Sequence, residues 1–305
     1  MESSGLMSSL RNRVLGGFVE ADFQSSAPPP SEGQISAVRG RGAAPERATF
    51  EDDDRWVTIL VSVLKIVACF VTMMATTFLW ALIMFMLLPW PYARVRQGNL
   101  YGHVTGRLMM TILGNPITIK GSEFASTRAI YICNHTSPLD IFLIMWQTPI
   151  GTVGIAKKEI IWYPLFGQLY VLANHLRIDR SNSTAAVESV REAARAVVKN
   201  NLSLIIFPEG TRSQSGRLLP FKKGFVHLAL QTGLPIVPMV VTGAHKAWRK
   251  NSLRVRPAPL TVEFLSPIKT DGWDPTRIND YVEMVHALYS RHLPSSQRPR
   301  SAEDR

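Results

Sequence analysis

Cysteine is nearly absent from this chain: there are two in 305 residues, Cys69 and Cys133. One lies in a long apolar run and the other in a strand-like segment. That usage excludes a disulfide framework and fits a reducing compartment. No His/Cys cluster has zinc spacing. No Gly-x-Ser-x-Gly elbow occurs, which argues against a lipase-like or thioesterase-like hydrolase with a serine nucleophile. There is no internal repeat, and no apolar stretch near residue 1 reads as a cleaved signal. Acids are outnumbered overall, 23 against 34 Lys and Arg, for a formal net charge of +11. Residues 1–54 reverse that balance with nine acids and five Arg, a net of −4, which leaves +15 for the remainder. So acidic a leader does not read as an organelle transit peptide. The basic excess belongs to the folded part and implies an anionic partner, either nucleic acid or a phospholipid surface.

What the chain does have is strongly segmented. Residues 1–54, with Pro28-Pro29-Pro30 and the acidic run Glu51–Asp54, read as a disordered tail. From Trp56 to Leu88 nearly every residue is apolar, and Lys65 is the only charge. A helix of that length would reach roughly 50 Å against about 30 Å for a bilayer core. It is therefore either one long tilted span or a helix pair dipping into the membrane. Pro89 and Pro91 end it, and Trp80, Trp90 and Tyr92 suit an interfacial belt. Acids before the run and Arg94 and Arg96 after it place a following domain in the cytosol if the span is single. Residues 100–119 are apolar but interrupted by His103 and Arg107, as in an interfacial helix. A membrane segment of 55–120 thus precedes a domain of 121–270 and a C-terminal helix and tail of 271–305. Such a segment is not explained by nucleic-acid binding, and nothing implies a protein partner.

The domain alternates strands with helices. Ala129–Cys133, Leu202–Phe207, Ile236–Val241 and Leu260–Leu265 read as strands. Ser183–Asn200 has apolar residues at helical spacing behind the N-cap candidates Asn182 and Ser183, and Phe221–Thr232 is a second helix closed by Gly233. The fold class is α/β, a mixed sheet flanked by helices and preceded by N-terminal membrane helices. Two constellations follow strands, where α/β sheets gather their sites. After the first strand comes Asn134-His135-Thr136-Ser137-Pro138-Leu139-Asp140. A turn started by Pro138 can bring Asp140 back to the imidazole, fix its tautomer and leave the other nitrogen as a general base. The spacing alone is unspecific. After the second predicted strand comes Pro208-Glu209-Gly210-Thr211-Arg212. Its Gly permits close backbone approach, its Arg offers a fork for phosphate, and its Thr adds a donor. Lys157-Lys158 and Arg180 are further basic groups near strand ends. His175, His227 and His245 read as structural or surface residues. Trp162, Tyr163, Phe166 and Tyr170 suit either an acyl channel or plain packing.

In NHTSPLD and FPEGTR, together with the segment Leu234-Pro235-Ile236-Val237-Pro238, the chain resembles the 1-acyl-glycerol-3-phosphate acyltransferases, and its wording resembles the plant seed-type enzymes of the endoplasmic reticulum. The resemblance covers roughly residues 56–295. It implies His135 as base, Asp140 as its partner, and Glu209, Gly210, Thr211 and Arg212 as binders of the acceptor phosphate, with Arg180 and Lys157 as further candidates. It also implies acyl-CoA and lysophosphatidic acid as substrates, no metal or cofactor, no covalent acyl-enzyme, and a cytosol-facing catalytic domain on the endoplasmic reticulum. An acceptor such as glycerol 3-phosphate or a lysophospholipid is the nearest alternative.

Overall fold

The computed structural model describes residues 56–162, 166–178 and 183–300, all within the unit Ala48–Arg305. The tail expected over 1–54, the Asn182 cap, Tyr163 and Arg180 lie outside the described residues, and so does the side chain of Lys157. Seven strands form one mixed sheet. In chain order they are β1 (Ile117–Lys120), β2 (Ile130–Cys133), β3 (Thr152–Lys157), β4 (Leu176–Ile178), β5 (Ser203–Ile206), β6 (Ile236–Thr242) and β7 (Leu260–Phe264). Their spatial order is β1-β7-β6-β2-β5-β3-β4, and only the β6–β7 pair is antiparallel. The four expected strands are present. β1, β3 and β4 were not read from the sequence.

Helices cover both faces, which explains why the central strands are continuous apolar runs instead of alternating ones. Ile130 and Ile132 of β2, Leu204 and Ile206 of β5 and Val240 of β6 point to one side. There they meet α5 (Ser183–Lys199), α6 (Gly224–Thr232) and α8 (Ile278–His292). Tyr131, Cys133, Ile205, Val237, Met239 and Val241 point to the other. They meet α2 (Pro91–Leu113), α3 (Leu139–Gln147) and the short α7 (Ala244–Ala247). Each fully buried Leu, Ile or Phe in these layers contributes about 1.5–3 kcal/mol. α6 begins at Gly224, three residues later than expected, and ends on Gly233 in the left-handed region at φ 64°.

α1 (Trp56–Met86) is the one described helix long and apolar enough to cross a membrane. It does not project as a stalk. Lys65 Nζ donates to Leu113 O at 2.7 Å, Thr77 Oγ1 lies 2.9 Å from Tyr101 Oη, and Met84 approaches Gly98. Partner numbers on α2 fall as those on α1 rise, so the two form an antiparallel pair. Ser62 Oγ also donates to Val255 O at 3.0 Å and accepts from Val255 N–H at 3.2 Å. α1 therefore runs along the domain, and the apolar run is one continuous helix of 31 residues instead of the helix pair weighed for it from the sequence. The lone charge of the run finds its role here, because Lys65 satisfies a carbonyl at the negative end of α2.

α2 differs from its expected range of 100–119. Pro91 opens it at the first turn instead of only closing the preceding helix. Two of its polar residues are buried against the domain. Arg94 is 4% exposed and donates to Leu172 O at 2.8 Å, and Asn99 donates to Thr152 O at 2.7 Å. Gly106 lets α2 lie against α3, since a Cβ there would sit 2.5 Å from Phe142 O.

Candidate active site

β2 and β5 are neighbours, so the loops leaving their carboxyl ends lie side by side. The first loop carries His135. Asp140, in the first turn of α3 and wholly buried, returns its Oδ2 to His135 Nδ1 at 3.0 Å. The same oxygen accepts the backbone N–H groups of Thr136 at 2.6 Å and Ser137 at 2.8 Å. Asp140 thus closes the turn and orients the imidazole at once. With Nδ1–H directed at a carboxylate, the tautomer is fixed and Nε2 carries a free lone pair. Phe207 stacks on the ring at 3.9 Å between centroids, 16° from parallel. The preceding residue holds the loop to the sheet. Asn134 Nδ2 donates to Val241 O and Oδ1 accepts from Val241 N–H, both at 2.8 Å.

The second loop holds the first from the other side. Gly210 takes a left-handed φ of 71°, which a side chain rarely adopts, and turns the chain back after Glu209. Ser213 N–H donates to His135 O at 2.8 Å. Glu209 Oε1 accepts from His135 N–H at 2.6 Å, and Oε2 accepts from Leu219 N–H at 3.0 Å. Both oxygens of Glu209 therefore brace the backbone. The residue is 3% exposed, and it does not line the cavity beside His135. Both of its carboxyl oxygens are thus turned away from the cavity, onto two backbone amides. Burial pushes its pKa up to about 8, with the negative charge of Asp140 adding to the shift and the two amide hydrogen bonds opposing it.

Gly210, Thr211 and Arg212 do line the cavity, together with His135. The cavity measures about 360 Å³ and continues from these polar groups into an apolar chamber between α2, α3 and β3, walled by Tyr101, Ile144, Leu169 and Ala173. Phe166 and Tyr170 belong to its wall, whereas Trp162 is 77% exposed. Two lining residues had no place at the site in the sequence reading. His175 accepts Gly154 N–H on Nδ1 at 3.0 Å and stacks on Tyr170, and burial pushes its pKa down to about 4. Of structural and surface, the alternatives read for it, it is structural, held neutral in the chamber wall. Lys250 comes from beyond β6, with its Nζ 3.0 Å from Arg212 O. Neither belongs to a local motif, and only the folded chain brings them to the site. Among the described residues no three His, Cys, Asp or Glu side chains converge as metal ligands do.

Three comparisons bear on this arrangement. The family model described as acyltransferase matches residues 116–242, a span that includes both loops. The chain is 69% identical over 98% of its length to a 1-acyl-sn-glycerol-3-phosphate acyltransferase of Cocos nucifera, covering 96% of that protein. It is 60% identical over 85% of its length to one from Limnanthes douglasii, covering 92% of it. The fold is similar to the crystal structure of the 1-acyl-sn-glycerophosphate (LPA) acyltransferase of Thermotoga maritima. That match has a TM-score of 0.63 at 24% identity over 75% of this chain and 92% of the other. With geometry, motifs and relatives in agreement, the chain belongs to the 1-acyl-sn-glycerol-3-phosphate acyltransferase family.

Proposed function

We propose that the protein transfers a fatty acyl group from acyl-CoA to the sn-2 hydroxyl of 1-acyl-sn-glycerol 3-phosphate, giving phosphatidic acid, without metal or cofactor. One observation carries this reading. A histidine with a fixed tautomer faces a cavity that is cationic at one end and apolar at the other. The acceptor phosphate goes to the Gly210–Arg212 end, which brings its hydroxyl to His135 Nε2. The hydroxyl oxygen forms a bond to the thioester carbonyl carbon as Nε2 takes its proton. The tetrahedral intermediate then expels the thiolate, which recovers that proton from Nε2. Asp140 stabilises the imidazolium between the two transfers. A positioned base of this kind contributes about 10²–10⁴-fold. Holding both lipids in one cavity lowers the entropic part of the barrier. The apolar chamber receives an acyl chain, and Phe166 and Tyr170 help to wall it.

The site lies beside a membrane in this reading. Phe70, Phe78, Leu82 and Phe85 form an exposed apolar face on α1, far too large to leave in water. The basic flank beyond α1 supports a cytosol-facing catalytic domain on the endoplasmic reticulum. Arg180 and Lys157 keep the phosphate-binding roles that the resemblance implies. The test is His135→Ala, assayed in membranes against a panel of acceptors. Transfer to 1-acylglycerol 3-phosphate should fall at least ~10²-fold while membrane association persists. Substantial residual turnover would sink the base assignment. A wild-type preference for glycerol 3-phosphate or a lysophospholipid would replace the acceptor.

A further inference from the structure

The hairpin that follows α7 touches three separated parts of the molecule. Trp248 bridges to Val255 across its base. Trp248 O accepts from Ser137 Oγ of the His135 loop at 2.6 Å, and Val255 is bonded both ways to Ser62 of α1. Between these anchors, Lys250 reaches the second loop. Its Nζ lies 3.0 Å from Arg212 O and 3.5 Å from Thr211 Oγ1. Both partners are neutral oxygens. An ammonium has three donors, and two are spoken for.

The cavity wall makes that leftover donor informative. Its described lining includes two basic side chains besides histidine, Arg212 and Lys250, and no Asp or Glu. Both cations lie at the His135 end. A phosphate monoester carries close to two negative charges at neutral pH, more than the Arg212 guanidinium alone matches. We propose that Lys250 is a further phosphate-binding cation, held by the Arg212 carbonyl so that its free N–H and its charge meet the acceptor phosphate opposite the Arg212 fork. This deepens the acyltransferase reading and rests on it. The hairpin then makes phosphate binding a joint property of the two loops and the segment fastened to α1. Lysine suits the task because the ammonium is a compact point charge that can share donors between protein and ligand.

The test uses the full chain in phospholipid vesicles. The variants are Lys250→Met, which keeps the stem and removes the charge, and Lys250→Arg, which keeps the charge. Each is assayed with 1-acylglycerol 3-phosphate and with 1-acylglycerol, while the acceptor and acyl-CoA are varied separately. Lys250→Met should raise the acceptor KM about tenfold or more, leave the acyl-CoA KM in place and lower the preference for the phosphorylated acceptor by the same factor. Lys250→Arg should recover much of that loss. A hairpin with only a structural role would lower turnover with both acceptors alike, and that outcome overturns the proposal. A shift in the acyl-CoA KM instead would also overturn it, by assigning the charge to the donor's phosphates. Failure of the wild type to prefer the phosphorylated acceptor would refute the acceptor reading on which the proposal rests, and a normal wild type with an unmoved Lys250→Met refutes the Lys250 assignment alone.

Discussion

The two loops that frame the cavity are built to different standards of rigidity. In the 134–140 loop, Asn134, His135 and Asp140 are each fixed by two or more polar contacts, and Asp140 is wholly enclosed. In the 208–212 loop, the buried half at Glu209 is equally fixed, but Thr211 is exposed and Arg212 half-exposed at the cavity. The difference follows from the work proposed for each. A base must keep one nitrogen aimed within a few tenths of an ångström, because proton transfer depends steeply on distance. A cation that holds a headgroup acts through a long-range field and tolerates movement.

Three measurements break or sharpen that contrast. The largest effect is expected from Asp140→Asn, which removes the acceptor that fixes the His135 tautomer. Turnover should fall by about 10³-fold or more with little change in acceptor KM. A change in KM alone would place Asp140 with the holding groups and erase the distinction. Arg212→Ala comes next. It should raise the acceptor KM at least ~10-fold through loss of a charge-assisted contact, with turnover altered far less. A turnover loss as large as that of Asp140→Asn would mean that the looser loop is also part of the reacting geometry. The smallest effect concerns Glu209, which ties the loops together. Its pKa stands near 8 in the folded chain against the usual 4.5. Between those values the folded state keeps a proton that the unfolded chain has released. Stability should therefore fall as pH rises from about 5 to 8, and level off above. Thermal melting across that range should show a decline of about 3 °C or more, flattened in Glu209→Gln. A wild-type melting temperature that rises over the same window would show that Glu209 is ionised in place and that its two amide bonds outweigh its burial.

Both reacting motifs were legible in the sequence because each is local. Four residues separate His135 from Asp140, and FPEGTR is contiguous. Of the strands that read clearly, β2, β5 and β6 are nearly continuous buried apolar runs, and β7 alternates buried Leu, Val and Phe with half-buried Thr and Glu. β4 is only three residues long and β3 is broken by Gly154, so neither offers a pattern of its own. They are strands because neighbouring strands hydrogen-bond to them. α2 was misjudged for a different reason. Its buried Arg94 and Asn99 look like surface residues until their backbone acceptors on the domain are known. The inward direction of Glu209 was not legible because a motif names residue types and not the directions in which they point. Lys250 stands 115 positions beyond His135 in a basic stretch that reads as solvated surface. Only the fold makes it a cavity wall.

β6 holds a proline at its middle, paired with β2 at Ile132, where a central strand can least spare an N–H. The hydroxyl of Tyr289 stands in the gap. It donates to Ile132 O at 2.6 Å and accepts from Met239 N–H at 3.1 Å. A rung of the sheet directly beneath the His135 loop is therefore supplied by a side chain from the last long helix. A chain shortened ahead of Tyr289, or one still emerging from the ribosome, has every residue of the reacting centre but lacks that rung. The order of synthesis thus leaves the His135 loop without its full support until Tyr289 has been made.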